Sequence, residues 1–230
     1  MIFISKPLKT VIFIFGITIF FLVLANHSPS VLTFKPSLKK TTIVLDAGHG
    51  YPDSGASSVN NIHEKDINLK ITKKLKKILE KQGATVILTR SNDNSLSKSK
   101  KNNKRDDLNK RVRIRDSSNA DIFISIHMNH FEDSRYTGAQ VFYNSSDNRN
   151  EHLAKSIQEN IINHADPKNK RKIKQDNNIY VLKSSKIPSV LIECGFLSNI
   201  GEANKLNTDK YQNKISEAIC KGIVEYTKRN

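Results

Sequence analysis

The sequence predicts an α/β fold: a single domain whose mostly parallel or mixed β-sheet is flanked by helices, after an N-terminal hydrophobic segment. Three observations lead there. β-branched runs such as "TIVLD" and "SVLIE" suit strands buried on both faces. Stretches with helical periodicity lie between such runs, and the alternation starts near Thr41 and continues to the C-terminus. A chain of 230 residues leaves room after its N-terminal segment for one domain with a proper core, and not comfortably for two.

The first forty positions stand apart because they hold no acidic residue. Lys6 and Lys9 precede the uncharged run "TVIFIFGITIFFLVLA", Thr10 to Ala25. As a helix that run would cover about 24 Å at about 1.5 Å per residue, somewhat short of a hydrocarbon core of about 30 Å. Residues 1–26 are therefore expected to be a membrane anchor or a signal peptide. Val23 and Ala25 have the small-residue spacing of a cleavage site, whereas Phe20, Phe21 and Leu22 lengthen the run toward an anchor. Either way, positive charge before the apolar run places the remainder outside the cytoplasmic membrane, anchored or secreted. Residues 27–40, with Pro29, Pro36 and several serines, are expected to form a linker, and residues 41–230 the folded domain.

Within the domain, "TIVLD" (42–46) predicts a first strand. Ile67, Ile71, Leu75, Ile78 and Leu79 then share one helical face opposite lysines, with Gly83 just past the end. "TVILT" (85–89) predicts a strand, and the Lys-, Asn- and Ser-rich stretch 91–107 a long loop. A helix over 108–117 leads to the strand "DIFISIH" (121–127), followed by the strand "AQVFY". A helix over 151–164, a basic loop at "PKNKRKIK", a short strand "IYVL", a strand "SVLIE" (189–193) and a helix over 209–228 complete the chain.

The formal net charge is +16, and basic residues still outnumber the 22 acidic ones beyond position 40. Such a field favours polyanions. Export makes anionic lipid or anionic wall polymer the partner class, and nucleic acid, for which no recognisable motif is present, is not expected. Cys194 and Cys220 are too few and too far apart for a zinc finger or a disulfide scaffold. One bridge is open to them outside the cytosol; the expectation is two small buried side chains.

Polar residues recur where strands end. Asp46 and His49 follow the first strand, His127 closes the third and Glu193 the last major one. Open α/β sheets bind ligands beyond the carboxyl ends of their strands, so separate strands can deliver these groups to one crevice. Gly48 and Gly50 would let the backbone turn around the imidazole. Two histidines and a carboxylate suit one zinc ion, which takes three protein ligands and keeps a fourth position for water. His49 and His127 supply the imidazoles, and Glu64, just before the first helix, is the best-placed carboxylate. Glu193 is then free to take a proton from the attacking water. His63 and His130 are expected to lie outside the site, and His27, His152 and His164 to be exposed.

"LDAGHGYPDSGA", "EKDINLKI", "LTR", "DIFISIHMN" and "LIECGFLSN" resemble, in order and spacing, the zinc-dependent N-acetylmuramoyl-L-alanine amidases of the amidase_3 type. The resemblance spans Thr41 to Thr227. "DLNKRVRIRDSSNADIFISIH", "YTGAQVFY" and "RKIKQDNNIYVL" resemble the CwlD-type amidases of spore-forming bacteria, which act on cortex peptidoglycan in forming muramic δ-lactam. The resemblance implies His49, Glu64 and His127 as the zinc ligands and Glu193 as the catalytic carboxylate. Asn129 also matches a family position, implying a hydrogen bond to substrate or to a ligand. Arg90 and Arg111 match as well, but arginines after a strand or on a helix are commonly surface or ion-pair residues, and neither is assigned to the site. Tyr51 and Ser54 stand where glycine is usual. The implied reaction is hydrolysis of the amide between the lactyl group of muramic acid and L-alanine, at the forespore membranes facing the cortex. With no wall-binding module appended, residues 1–40 or an activating protein would hold the enzyme on peptidoglycan. Two alternatives stay open: an amidase-like domain that grips the wall without cutting it, and a zinc peptidase that cuts within the stem.

Overall fold

The computed structural model describes residues 36–97 and 103–229. The segment expected to be an anchor or signal peptide, with His27, lies outside the described residues. Among the described residues no helix is long and apolar enough to cross a membrane.

A six-stranded sheet organises the domain: β1 (Thr42–Ala47), β2 (Thr85–Leu88), β3 (Ile122–Asn129), β4 (Gln140–Tyr143), β5 (Lys174–Gln175) and β6 (Ser189–Phe196). Their order across the sheet is β2-β1-β3-β6-β4-β5. β2, β1, β3 and β6 run parallel, whereas β4 pairs antiparallel with β6, so the sheet is mixed. The helices among the described residues are α1 (Glu64–Lys81), α2 (Lys104–Ser117), α3 (Asn148–His164), α4 (Ile200–Leu206) and α5 (Asp209–Arg229).

Strand alternation divides the core in two. Ile43 and Leu45, Ile122, Ile124 and Ile126, and Val190 and Ile192 face one side, where Ile67, Ile71, Leu75 and Leu79 of α1 and the apolar stripes of α3 and α5 cover them. Each of these α1 side chains is fully buried and contributes about 1.5–3 kcal/mol by leaving water. Val44, Phe123, Phe142 and Leu191 face the other side, under a smaller cluster that includes Val181 and Leu182, with Leu108 and Ile114 of α2 packed against it. The intervening positions on that second face are polar, and the functional groups lie among them.

Several elements differ from the sequence-based expectation. The folded unit begins at Pro36, and Leu38, expected in the linker, is fully buried in the main core. "IYVL" is not a strand. Tyr180–Leu182 forms a 3-10 turn that inserts Val181 and Leu182 into the second core, while the Val181 carbonyl accepts from Arg115 Nη1 at 2.6 Å. α2 starts at Lys104, four residues early, because Asn103 caps it by accepting from the Asp106 amide. The loop before it is pinned where described: Ser95 N donates to the Tyr51 carbonyl at 3.0 Å and Leu96 N to Asp107 Oδ1 at 2.6 Å. α4 and the two-residue β5 were not expected. Cys194 and Cys220 are free thiols, both buried, in β6 and α5.

Candidate active site

Because β1, β3 and β6 are parallel, their carboxyl ends share one edge of the sheet. Asp46 pairs in register with Ser125, and His127 with Glu193, so alternation puts all four side chains on the second face. The strand ends expected to converge do converge. Glu64 arrives from the first turn of α1 and completes the cluster.

Each of His49, Glu64 and His127 offers one ligand atom within 4.8 Å of the other two. Glu64 is 3 % exposed. Its Oε2 lies 3.1 Å from His49 Nε2 and accepts from the Ala56 amide at 2.9 Å. Its Oε1 lies 2.9 Å from His127 Nδ1 and accepts from the Met128 amide at 3.1 Å and Asn68 Nδ2 at 3.3 Å. Burial would raise the Glu64 carboxyl, but the hydrogen bonds and charges of His127 and His49 outweigh it and hold Glu64 well below the usual carboxylate range. Burial likewise opposes charge on His49, yet Glu64 and Asp53 raise it to about 9. Two imidazoles and a carboxylate so placed fit one divalent metal ion, for which His49 would give up its proton.

Of the residues that shape this cluster, Asp53 and Gly55 were given no role from sequence, and Arg90 and Arg111, noted as family positions, were left out of the site and prove to be buried. Asp53, quoted within the first motif but given no role, turns back so that its Oδ2 lies 2.9 Å from His49 Nδ1, leaving Nε2 directed at Glu64. His49 adopts φ 61°, a left-handed conformation costing about 1–3 kcal/mol in a residue with a Cβ. Two buried arginines hold it there. Arg111 donates to the carbonyls of Ala47 at 2.7 Å and His49 at 2.6 Å, and Arg90 to those of Ala47 at 2.8 Å and Gly48 at 2.9 Å. Arg111 also pairs with Asp46 at 2.6 Å, and Asp46 accepts from Thr89 and Ser125 at 2.6 Å each. Burial would raise Asp46, but Arg111 and the two hydroxyls lower it to about 2. Asp46 thus acts on the loop backbone and touches neither imidazole. Two glycines are required by contact. A Cβ on Gly48 would fall 2.2 Å from His127 Cε1, and one on Gly55 would fall 2.5 Å from Glu64 Oε2. Gly48 and Gly55 clear the space that the His127 and Glu64 side chains occupy.

Glu193 stands beside the cluster with Oε2 buried and without a hydrogen-bond partner among the described residues. Burial raises its carboxyl to about 7, against the pull of His127, with Glu64 adding to the rise and His49 opposing it. It lines a cavity of about 460 Å³ together with Asn129, Phe142 and Arg171. Asn129 ends β3, its carbonyl accepting from the Leu197 amide at 2.8 Å, and the residue lines the same cavity. His63 precedes α1 and its Nδ1 lies 2.8 Å from Ser57 Oγ, outside the cluster. His130, His152 and His164 are exposed. Cys194, next to Glu193, faces the main core on the opposite side of the sheet.

An open α/β sheet with a histidine–carboxylate cluster and a buried protonatable acid at its carboxyl edge defines a hydrolase-type site. Residues 43–225 match the Amidase_3 family, described as N-acetylmuramoyl-L-alanine amidase. The germination-specific N-acetylmuramoyl-L-alanine amidase of Bacillus subtilis is 36 % identical over 228 residues, covering 96 % of this chain and 95 % of that protein. The CwlD amidase of Clostridioides difficile, solved in complex with the GerS lipoprotein, is 46 % identical with a TM-score of 0.80, covering 83 % of this chain and all of that one. An N-acetylmuramoyl-L-alanine amidase structure from Clostridium difficile 630 is 34 % identical with a TM-score of 0.73, covering 82 % and 97 %. The chain belongs to the Amidase_3 family, and its activity is that of an N-acetylmuramoyl-L-alanine amidase.

Proposed function

We propose that the chain is a zinc-dependent amidase of spore cortex peptidoglycan in which His49, Glu64 and His127 hold one zinc ion and Glu193 carries the proton. The observation that carries this reading is the convergence of the three ligand atoms within 4.8 Å beside a buried acid raised to about 7. Bound at that cluster, zinc supplies a Lewis acid that polarises the substrate carbonyl and makes water a competent nucleophile near neutral pH.

The residues then divide the work. Asp53 orients His49, and the Ala56 and Met128 amides with Asn68 orient Glu64, so the ligands need little rearrangement. Glu193 takes a proton from the attacking water as its oxygen adds to the lactyl carbonyl. The same carboxyl delivers that proton to the alanine nitrogen as the C–N bond breaks. Burial holds this carboxyl above the usual carboxylate range, which favours its carrying the proton between the two steps. The products are a muramic acid carboxyl and a peptide with a free N-terminal alanine. Asn129, which lines the cavity beside Glu193, would hydrogen-bond the substrate. Residues 1–26 would bring the domain to the forespore membranes facing the cortex, as an anchor or as a signal peptide. Likeness to an amidase solved with a lipoprotein supports a membrane-held activating protein as partner.

The test is to measure zinc per chain in the purified protein and to digest cortex peptidoglycan with and without added zinc, reading the products by mass spectrometry. Stems with free N-terminal alanine, lost in His127→Ala, are expected. Fragments cut inside the stem would instead make the protein a peptidase, and zinc binding without cleavage, even with a partner present, a wall-gripping domain.

A further inference from the structure

The cavity beside Glu193 is also lined by Arg171, Lys174 and Asp176, charged groups for which the reaction has no use. Gln140 pairs in register with Glu193 across β4 and β6, and Arg171 Nη1 donates to Gln140 Oε1 at 3.2 Å. The guanidinium is fixed on its other sides. Arg171 Nε donates to the Thr137 carbonyl at 2.7 Å, and the guanidinium carbon lies 4.5 Å from the Phe196 ring centroid and 5.5 Å from that of Tyr136. Its Nη2 has no hydrogen-bond partner among the described residues, and no carboxylate pairs with it. Arg135 and Arg149, by contrast, are each held by an aspartate. Arg171 lines both the 460 Å³ cavity and an adjoining one of about 620 Å³.

An arginine backed by aromatic rings, fixed along one edge and open along another, is prepared to receive a planar anion. Resting on the amidase reading above, we propose that Arg171 anchors a free carboxylate of the peptide stem, two to three residues beyond the scissile amide, and so makes the enzyme select free-acid over amidated stems. The reach is consistent. Directly opposed side chains on paired strands start about 5 Å apart, so with the length of Gln140 added, Arg171 sits on the order of 10 Å from Glu193. An extended peptide covers that distance in about three residues, at about 3.3–3.6 Å each. Lys174 lines the same cavity and adds positive charge to it, alongside the acids Asp176 and Glu193.

Binding of stem peptides tests this without requiring zinc or turnover. Peptide pairs differing only in whether the second or third residue carries a carboxylate or a carboxamide would be titrated by calorimetry onto the full-length protein. The same titrations would be run on Arg171→Gln and Arg171→Lys. The wild type should bind one free-acid peptide at least about 10-fold more tightly than its amide. Arg171→Gln should bind both members of the pair alike, and Arg171→Lys should keep part of the preference. A wild type that binds both alike or neither, or an Arg171→Gln protein that keeps the preference, overturns the proposal. So does a uniform weakening of acid and amide in Arg171→Gln, the signature of a role confined to holding Thr137 and Gln140. Because hydrolysis is read in a separate assay, loss of the amidase reading and loss of this one are distinguishable.

Discussion

His127 and Glu193 are opposite residues of adjacent parallel strands, with both side chains on the face of the sheet that bears the site. That register sets a buried acid beside a candidate metal ligand without hydrogen-bonding the two together. Glu193 therefore acts on His127, Glu64 and His49 through charge and not through a shared hydrogen bond. Replacing it with glutamine should leave zinc per chain unchanged and lower kcat by about 100-fold or more, the usual share of a general base. Retention of most of the wild-type turnover in the purified variant would sink the assignment.

His49 is raised to about 9 by Glu64 and Asp53 against its burial, so on the zinc reading proposed above the metal would displace a proton from it at pH 7. Zinc affinity should rise with pH up to about 9 and then level. Calorimetry at pH 7 in buffers of different ionisation enthalpy should show proton release on binding. A pH-independent affinity between 6 and 9 would contradict the protonation state described.

Asp53→Asn removes the carboxylate from His49 Nδ1 while keeping the side chain's size. We expect zinc affinity to fall by about 10- to 100-fold with little change in melting temperature, as measured by competition with a chromophoric chelator. An unchanged affinity would mean that backbone strain alone positions the imidazole.

Gly48→Ala sets a methyl group against the His127 ring, 2.2 Å from Cε1 where ordinary contact needs well over 3 Å. The imidazole must leave its position. Zinc binding and hydrolysis should both be lost while far-UV circular dichroism stays native, and a variant with normal zinc content would refute the geometry.

Asp46 links the site to stability. Its folded pKa, about 2, lies below the ordinary carboxylate value of 3.8, so its contribution is complete above about pH 4 and is lost as pH falls toward 2. The shift corresponds to about 2 kcal/mol. Asp46→Asn removes one of the two carboxylates that Arg111 pairs with, Asp107 remaining at 2.6 Å, and should cost about 2 kcal/mol at neutral pH. Urea unfolding from pH 2 to 7 should also show a shallower acid slope in the variant, and an unchanged slope would remove Asp46 from the linkage.

Most of the fold was legible because its signals are periodic and local. Ile67, Ile71, Leu75 and Leu79 announce α1 by spacing, and the β-branched runs announce β1, β3 and β6. "IYVL" misled because a short apolar run looks alike in a strand and in a buried turn; packing of Val181 and Leu182 against the second core, not strand pairing, decided its conformation. α2 was partly hidden because its buried residues are Asp107, Arg111 and Arg115, which give no apolar stripe.

The sequence by itself determined which groups stand at the carboxyl ends of the strands, since strand alternation and parallel order leave Asp46, His127 and Glu193 little choice of face. It also supplied the motifs whose order marks the family. Tertiary structure alone decided what holds them in place. Arg111 reaches Asp46, Ala47 and His49 across 62 to 65 positions, and Arg90 reaches Ala47 and Gly48 across 42 or 43. Contacts made by single side chains to loop carbonyls leave no period in the sequence. They exist only once the sheet has brought distant backbone to within hydrogen-bonding distance.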